Sequence, residues 1–387
     1  MFHSTVMMRN VVENIIFLTL DLVYPDDTGG RKLSLGRILY EQEKGNNVTV
    51  IHYNYKKQDE EDAQRFFKEN NICFYSFSPR HNHHGFTRLL CYMKSFLNKM
   101  PEPYYMIYRD DFFHHFLDAK IEEIAPSLIS LESIFLGWTE NVIRSKKVKI
   151  NYTFHNVESE FYYSLFVSEV NKIKKAHYYI QSLLLEVIER RILNDTSANV
   201  TYTFLSKEDM SEYMKKYNIS RGNIIINHNN IKTSNKVNRK VDFAEPFFLF
   251  PGSLDFPANS FAIKNMLETP NLNWDLLPRI IITGTVSYNT RKKFLGLKNI
   301  SLVGRVSEDE LYRLYSSCIA CISPIVTGAG IKIKNLEAIK LGVPLIATKF
   351  SCVGINTSNE NIFLTENNFN SFYEVMFKYY NEVLNKL

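Results

Sequence analysis

Ser323-Pro-Ile-Val-Thr-Gly-Ala-Gly-Ile-Lys-Ile-Lys-Asn-Leu-Glu-Ala-Ile-Lys-Leu-Gly-Val-Pro-Leu-Ile-Ala-Thr348 reads as strand, glycine loop, helix, glycine stop and strand. The run leading into it, Cys318 to Ser323, is short and apolar, as a fully covered strand of a parallel sheet should be. Gly328 and Gly330 let the backbone turn tightly and approach a ligand with no Cβ in the way. The pattern predicts a helix from about Ile331 to Leu341, with Ile331, Leu336 and Ile339 on its buried side. Gly342 suits the position just past its end, and Pro344 prevents continuation.

A glycine loop feeding a helix leaves several N–H groups unpaired, and the helix dipole adds partial positive charge there. Such a place attracts an anion, phosphate above all. Lys332 and Lys334 put full positive charge in the first turn, where cations are unfavourable unless something negative is bound. Glu337, one to two turns in, offers a carboxylate to sugar hydroxyls. The same residues also fit an ordinary βαβ crossover with two solvated lysines, since a bare G-x-G before a helix is a frequent pattern.

Gly328-Ala-Gly-Ile-Lys-Ile-Lys-Asn-Leu-Glu-Ala338, followed by Gly342-Val-Pro and Ala347-Thr348, resembles the donor-site signature of family-4 glycosyltransferases with the GT-B fold. More narrowly, it resembles the bacterial surface-polysaccharide branch that carries G-x-G-x-(R/K)-x-K-x-x-E-A. The resemblance implies an α/β chain of two facing, doubly wound Rossmann-like domains with an interdomain cleft. It also implies sugar transfer from a nucleotide diphosphate sugar to a hydroxyl of a glycan, with a lipid-linked acceptor at the inner membrane face.

The chain has 387 residues, enough for about two domains. Its 45% hydrophobic and 22% charged residues fit a globular protein, and no apolar run reaches the roughly 20 residues of a transmembrane helix. Residues 1–14 lack a signal-peptide apolar core, so a cytoplasmic location is expected, to which the resemblance adds peripheral contact at the inner membrane face. A net charge of +5, with basic residues spread along the chain, disfavours a nucleic-acid groove. The five cysteines are an odd set, and Cys318 and Cys321 fall in an apolar run, so buried free thiols are expected rather than zinc or redox chemistry.

Taken in order, Asn14 to Leu20 reads as a first buried strand, Tyr24 to Gly30 as a loop, Arg31 toward Glu43 as a helix and Val48 to Tyr53 as a second strand. That is the opening of a doubly wound domain, without a G-x-G-x-x-G dinucleotide fingerprint. His81, His83 and His84 read as a solvated loop. Tyr104 to Tyr108 reads as a strand, after which Asp110 and Asp111 either cap a helix or, paired, hold a cation. A strand from Val148 ends in His155-Asn156, at the carboxyl end where such sheets place function. Residues 158–193 read as a long, broken helical segment whose aromatic residues are either core or a surface toward acceptor or membrane. Residues 232–245 read as a linker between a first domain at 1–231 and a second at 246–369, with a helix at 370–387 crossing back to the first. Ser307-Glu-Asp-Glu310 is a capping box.

Pro251-Gly-Ser-Leu-Asp-Phe-Pro-Ala-Asn259 is similar to the family's F-x-G-S-(M/L)-D-x-x-(P/A)-N loop, and His228-Asn-Asn-Ile231 resembles its turn at the end of the first domain, with Asn230 in a position that glycine commonly fills. Carried onto this chain, the resemblance makes His155, Lys334 and Glu337 the catalytic candidates. Gly252, Ser253, Arg305, Val306, Gly328, Ala329, Gly330, Ile331 and Lys332 become the donor-binding set, with Arg305 and Val306 toward the base. Asp27, Gly29, Gly30, Arg31 and Asn156 fall on the acceptor side. Neither metal nor cofactor is implied, because lysines and amides neutralise the diphosphate of the donor substrate. Retention of anomeric configuration is the family's usual outcome. Many relatives, however, carry a second glutamate eight residues before the first, and here that position is Ala329. Two other readings stay open: a nucleotide-sugar 2-epimerase of the same fold, and a catalytically silent partner subunit of another transferase.

Overall fold

A computed structural model describes residues 12–385 apart from 27, 57, 80–89, 91–92, 95–96, 102–109, 170, 196, 206, 218–223, 227–236, 242–244, 298 and 329. The chain resolves into two units, one formed by residues 1–155, 184–205 and 213–230, the other by 156–183, 206–212 and 231–387. Residues 156–183 group with the second of these units.

The first unit opens with β1 (Asn14–Thr19), α1 (Gly29–Glu43), β2 (Asn47–Tyr53), α2 (Glu61–Glu69) and β3 (Cys73–Phe77). α3 (Asp111–Ile124), β4 (Leu128–Leu131), a 3-10 turn at Ile134–Thr139, α4 (Glu140–Ser145) and β5 (Lys149–Phe154) follow. After α5 (Glu158–Ser168) and α6 (Lys172–Leu193) come β6 (Val200–Phe204), α7 (Lys207–Tyr217) and β7 (Ile224–Ile226). The seven described strands are all parallel, in the order β3-β2-β1-β4-β5-β6-β7. Ile15, Ile16, Phe17 and Leu18 of β1 are all buried, because a central parallel strand is covered on both faces. Asp110 caps α3 by accepting from the Phe113 amide at 3.0 Å, and its other oxygen accepts from the Tyr53 hydroxyl at 2.8 Å. The capping reading of this aspartate therefore holds. Helix α1 starts earlier than the sequence reading placed it. Thr28 accepts from the Arg31 amide, so Gly29 and Gly30 form the first helical turn instead of the loop.

The second unit holds β8 (Phe247–Pro251), α8 (Pro257–Leu267), β9 (Arg279–Thr283), α9 (Tyr288–Lys292) and β10 (Ile300–Gly304). Its remaining elements are α10 (Glu308–Ser317), β11 (Cys321–Ser323), α11 (Ile333–Lys340), β12 (Leu345–Thr348), β13 (Ile362–Thr365) and α12 (Phe369–Leu384). Six described strands run parallel in the order β10-β9-β8-β11-β12-β13. The capping box at Ser307 and Glu310 is present at the start of α10. Cys318 and Cys321 are buried free thiols. The predicted strand is shorter than its apolar run, because the Cys318 amide still closes α10 on the Leu314 carbonyl at 2.9 Å. Arg239, in the stretch read as a linker, donates to the carbonyls of Tyr315, Cys318 and Ile319 at 2.7–3.0 Å and so satisfies the open end of α10.

One face of α12 packs within the second unit. Phe372 and Met376 are fully buried in its core, and Val375, Tyr379, Tyr380 and Val383 pack against that core. α5 also packs here, with Phe161 stacked on Phe256 at a centroid distance of 5.9 Å. The histidine loop at 81–84, the strand read at 104–108 and Asn230 lie outside the described residues.

Candidate functional site

Open parallel sheets place ligands at the carboxyl ends of their strands, at the point where chain order reverses. In the second unit the order reverses between β8 and β11. The loops that leave those two strands are the Gly252-Ser253 loop and the Gly328–Lys332 loop. Gly328 turns at φ 106° and Gly330 at 72°, conformations that favour glycine. A Cβ at Gly252 would lie 3.0 Å from Asn259 Nδ2 and 3.6 Å from Lys334 Nζ, so its bareness lets the lysine come close. Helix α11 starts at Ile333, two residues later than read from sequence, with Lys332 in the capping position.

Lys334 donates to Asn259 Oδ1 at 2.9 Å and lies over the Phe250 ring, 3.7 Å from its centroid. Asn259 in turn donates to the Ser253 carbonyl at 2.8 Å, which fixes its orientation. Among the described residues no carboxylate pairs with Lys334. Burial, and then the charge of Lys332, hold its ammonium well below the ordinary lysine range. Lys332 donates to the Gly330 carbonyl at 2.6 Å, and burial pushes it down to about 8, with Asp209 opposing. Two cations whose charge the protein disfavours thus lie beside the glycine loop that leads into α11. That arrangement suits an incoming anion with more than one charge.

The other named donor-side residues are all numbered within the second unit. Ser253 donates to the Thr285 carbonyl at 2.6 Å and accepts from the Asp255 amide at 3.1 Å, so its hydroxyl ties two loops together. Arg305 and Val306 follow β10 at the sheet edge, with Arg305 exposed and Val306 half-buried. Ile331 is half-buried beside Lys332, and Ala329 lies outside the described residues. Glu337 is buried on α11 and accepts from the Tyr315 hydroxyl at 3.2 Å.

In the first unit the order reverses between β1 and β4. Glu132 stands directly after β4, and its carboxylate accepts from Arg37 at 2.7 Å, Ser130 at 2.9 Å, Ser34 at 3.0 Å and Thr153 at 3.2 Å. His155, directly after β5, lies with Nε2 3.4 Å from Ser34 Oγ and 3.8 Å from Glu132 Oε2. Burial lowers the His155 pKa, with Glu132 opposing and Arg37 adding to the effect. Gly29, Gly30 and Arg31 form the first turn of α1, where Arg31 donates to the Pro25 carbonyl at 3.2 Å. Asp27 lies outside the described residues, and Asn156 begins the segment assigned to the second unit.

Sequence reasoning missed Asn259, Phe250, Arg37, Ser34 and Glu132. Asn259 closes the quoted loop motif and carried a signal. The others had none, because their partners are remote in sequence; Arg37 and Glu132 are 95 residues apart.

Residues 245–382, a stretch that takes in the whole β8–β13 sheet, match the family described as glycosyl transferases group 1. Across nearly the whole chain the architecture matches solved structures. Sucrose-phosphate synthase from Thermosynechococcus elongatus superposes with a TM-score of 0.63 at 13% identity, over 96% of this chain and 90% of that one. Anabaena HepE, solved with UDP and glucose, superposes with a TM-score of 0.60 at 11% identity, over 96% and 91%. The fold is GT-B. A GT-B chain with a group 1 transferase match indicates a glycosyltransferase. By sequence, it is 23% identical over 362 residues to an uncharacterized 44.6 kDa protein in the cps region of Klebsiella pneumoniae, covering 89% of this chain and 85% of that one.

Proposed function

We propose that this protein moves a sugar from a nucleotide diphosphate sugar to a hydroxyl of a lipid-linked glycan during surface polysaccharide synthesis, in the family-4 manner. The observation that carries the reading is Lys334: a lysine held on Asn259 and Phe250, with no carboxylate partner among the described residues, where the β8 and β11 loops meet. In water an ammonium prefers solvent or a counter-ion, and a fold that holds it off both gains most when a diphosphate arrives.

In this reading the difficult step is departure of the diphosphate while positive charge develops at the anomeric carbon. The 328–330 amides, the α11 dipole, Lys332 and Lys334 stabilise the leaving group in place of a metal. Glu337 holds the ribose, Arg305 and Val306 meet the base, and His155 with Asn156, Asp27 and the α1 turn attends to the sugar and acceptor. Retention follows if the leaving phosphate takes the acceptor proton on the same face. No described helix is long and apolar enough to cross a membrane.

A panel of UDP-, GDP-, ADP- and dTDP-sugars tests the reading, first by thermal shift and then by product analysis. A stabilising donor and a glycan product support it. An isomerised free sugar points to epimerisation. Absence of any donor-dependent stabilisation would count against the donor site and favour a silent subunit.

A further inference from the structure

The first unit contains a buried hydrogen-bond network whose direction can be worked out donor by donor. Glu132 accepts three donors on Oε1, from Arg37, Ser130 and Thr153, and a fourth on Oε2, from Ser34 at 3.0 Å. A serine hydroxyl has one hydrogen, and the carboxylate is the better acceptor for it. Ser34 Oγ therefore turns a lone pair toward His155 Nε2, 3.4 Å away. A lone pair on Nε2 would repel both that oxygen and Glu132 Oε2, which lies 3.8 Å off. A proton on Nε2 is attracted by both. His155 Nδ1, on the other side of the ring, is buried and has no hydrogen-bond partner among the described residues.

We infer that Glu132 is a positioning residue, which through Ser34 holds His155 as the Nε2–H tautomer and leaves Nδ1 as an acceptor for a ligand hydroxyl. The hydrogen bond made by one ring nitrogen decides what the other can do. The charged groups that act on the ring are Glu132, Arg37 and Asp21, and the main-chain carbonyl of Glu132 also favours a ring N–H. Burial is the largest influence and keeps the ring neutral, so Nδ1 keeps its lone pair. Arg37 has the supporting part: its guanidinium compensates the buried carboxylate that Ser34 donates to. The identity of the hydroxyl, on transferred sugar or acceptor, rests on the proposed transferase reading; the tautomer does not.

The tautomer is read directly in the full-length protein labelled with ¹⁵N-histidine, by long-range ¹H–¹⁵N spectra at pH 7.5, with His155 assigned by difference against His155→Gln. A protonated Nε2 and bare Nδ1 are expected. An Nδ1–H pattern, or a charged imidazolium, overturns the inference. Ser34→Ala leaves the Arg37–Glu132 pair intact and is expected to mix the tautomers, bringing the two ¹⁵N shifts together. Unchanged shifts in that variant would show that Ser34 and Glu132 do not set the proton. With the nucleotide sugar selected by the panel, His155→Asn keeps an oxygen near the Nδ1 position and is expected to retain activity within ~10-fold, whereas His155→Gln loses ~100-fold. The reverse ranking overturns the acceptor role. If no donor is turned over, the transferase reading fails while the spectrum still decides the tautomer.

Discussion

Lys334 is the residue that chemistry singles out in both sequence and structure. From sequence it stood in the first turn of a helix, where a cation is locally unfavourable. The structure adds why the fold tolerates it: Asn259 and the Phe250 face hold it with neutral partners. Lys334→Met should therefore separate stability from binding. We expect a melting temperature equal to or above that of the wild type, because a disfavoured charge is gone, with at least ~100-fold weaker donor binding. Lys332 gives a second test, through pH. Its folded-state pKa of about 8 lies below the ordinary value of 10.5, so the unfolded chain binds more protons between those limits. This group's contribution to apo-protein stability should then rise with pH from about 8 to 10.5. Donor affinity should move the opposite way. A bound diphosphate favours the charged lysine, so binding takes up a proton and weakens as pH rises above about 8. Calorimetry of donor binding at pH 7 and pH 9 in buffers of different ionisation enthalpy reads both the affinity and the proton.

At the scale of elements, the parts legible in the sequence were those whose signals are local. The Ser307 capping box, the Asp110 cap and the glycine stop after α11 each depend on neighbours within a few residues. Replacing Ser307 by alanine should cost about 1 kcal/mol in equilibrium unfolding, the usual worth of such a cap. Gly284 lies at the other extreme. A Cβ there would sit 2.6 Å from the Ser253 amide nitrogen, and its φ is 94°, so Gly284→Ala should destabilise by about 2 kcal/mol or more. Where α1 begins was misread because Gly29-Gly30 looks like loop, yet Thr28 before it is a good cap. Periodicity also showed that α12 has a buried face without showing what it is buried against; Phe372 and Met376 turn out to serve the second unit. The Glu132 network was illegible for the same reason. A carboxylate after a strand says nothing of an arginine on α1 until the sheet order brings β4 and β5 side by side.

Over the whole molecule, two parallel sheets each reverse strand order once, and each reversal has a polar cluster at its mouth. The duplicated architecture was readable from two successions of strand and helix on either side of one polar stretch. The group 1 match, restricted to residues 245–382, falls on the unit that carries Lys332, Lys334 and Glu337. A nucleoside diphosphate alone should therefore bind without any acceptor present. The most direct test is isothermal titration of UDP, GDP, ADP and dTDP against the wild type and Lys334→Met. The account predicts one-to-one binding of at least one of them by the wild type, weakened ~100-fold or more in a variant that melts no lower. Equal affinity in the two proteins, or no binding by a well-folded wild type, would contradict it.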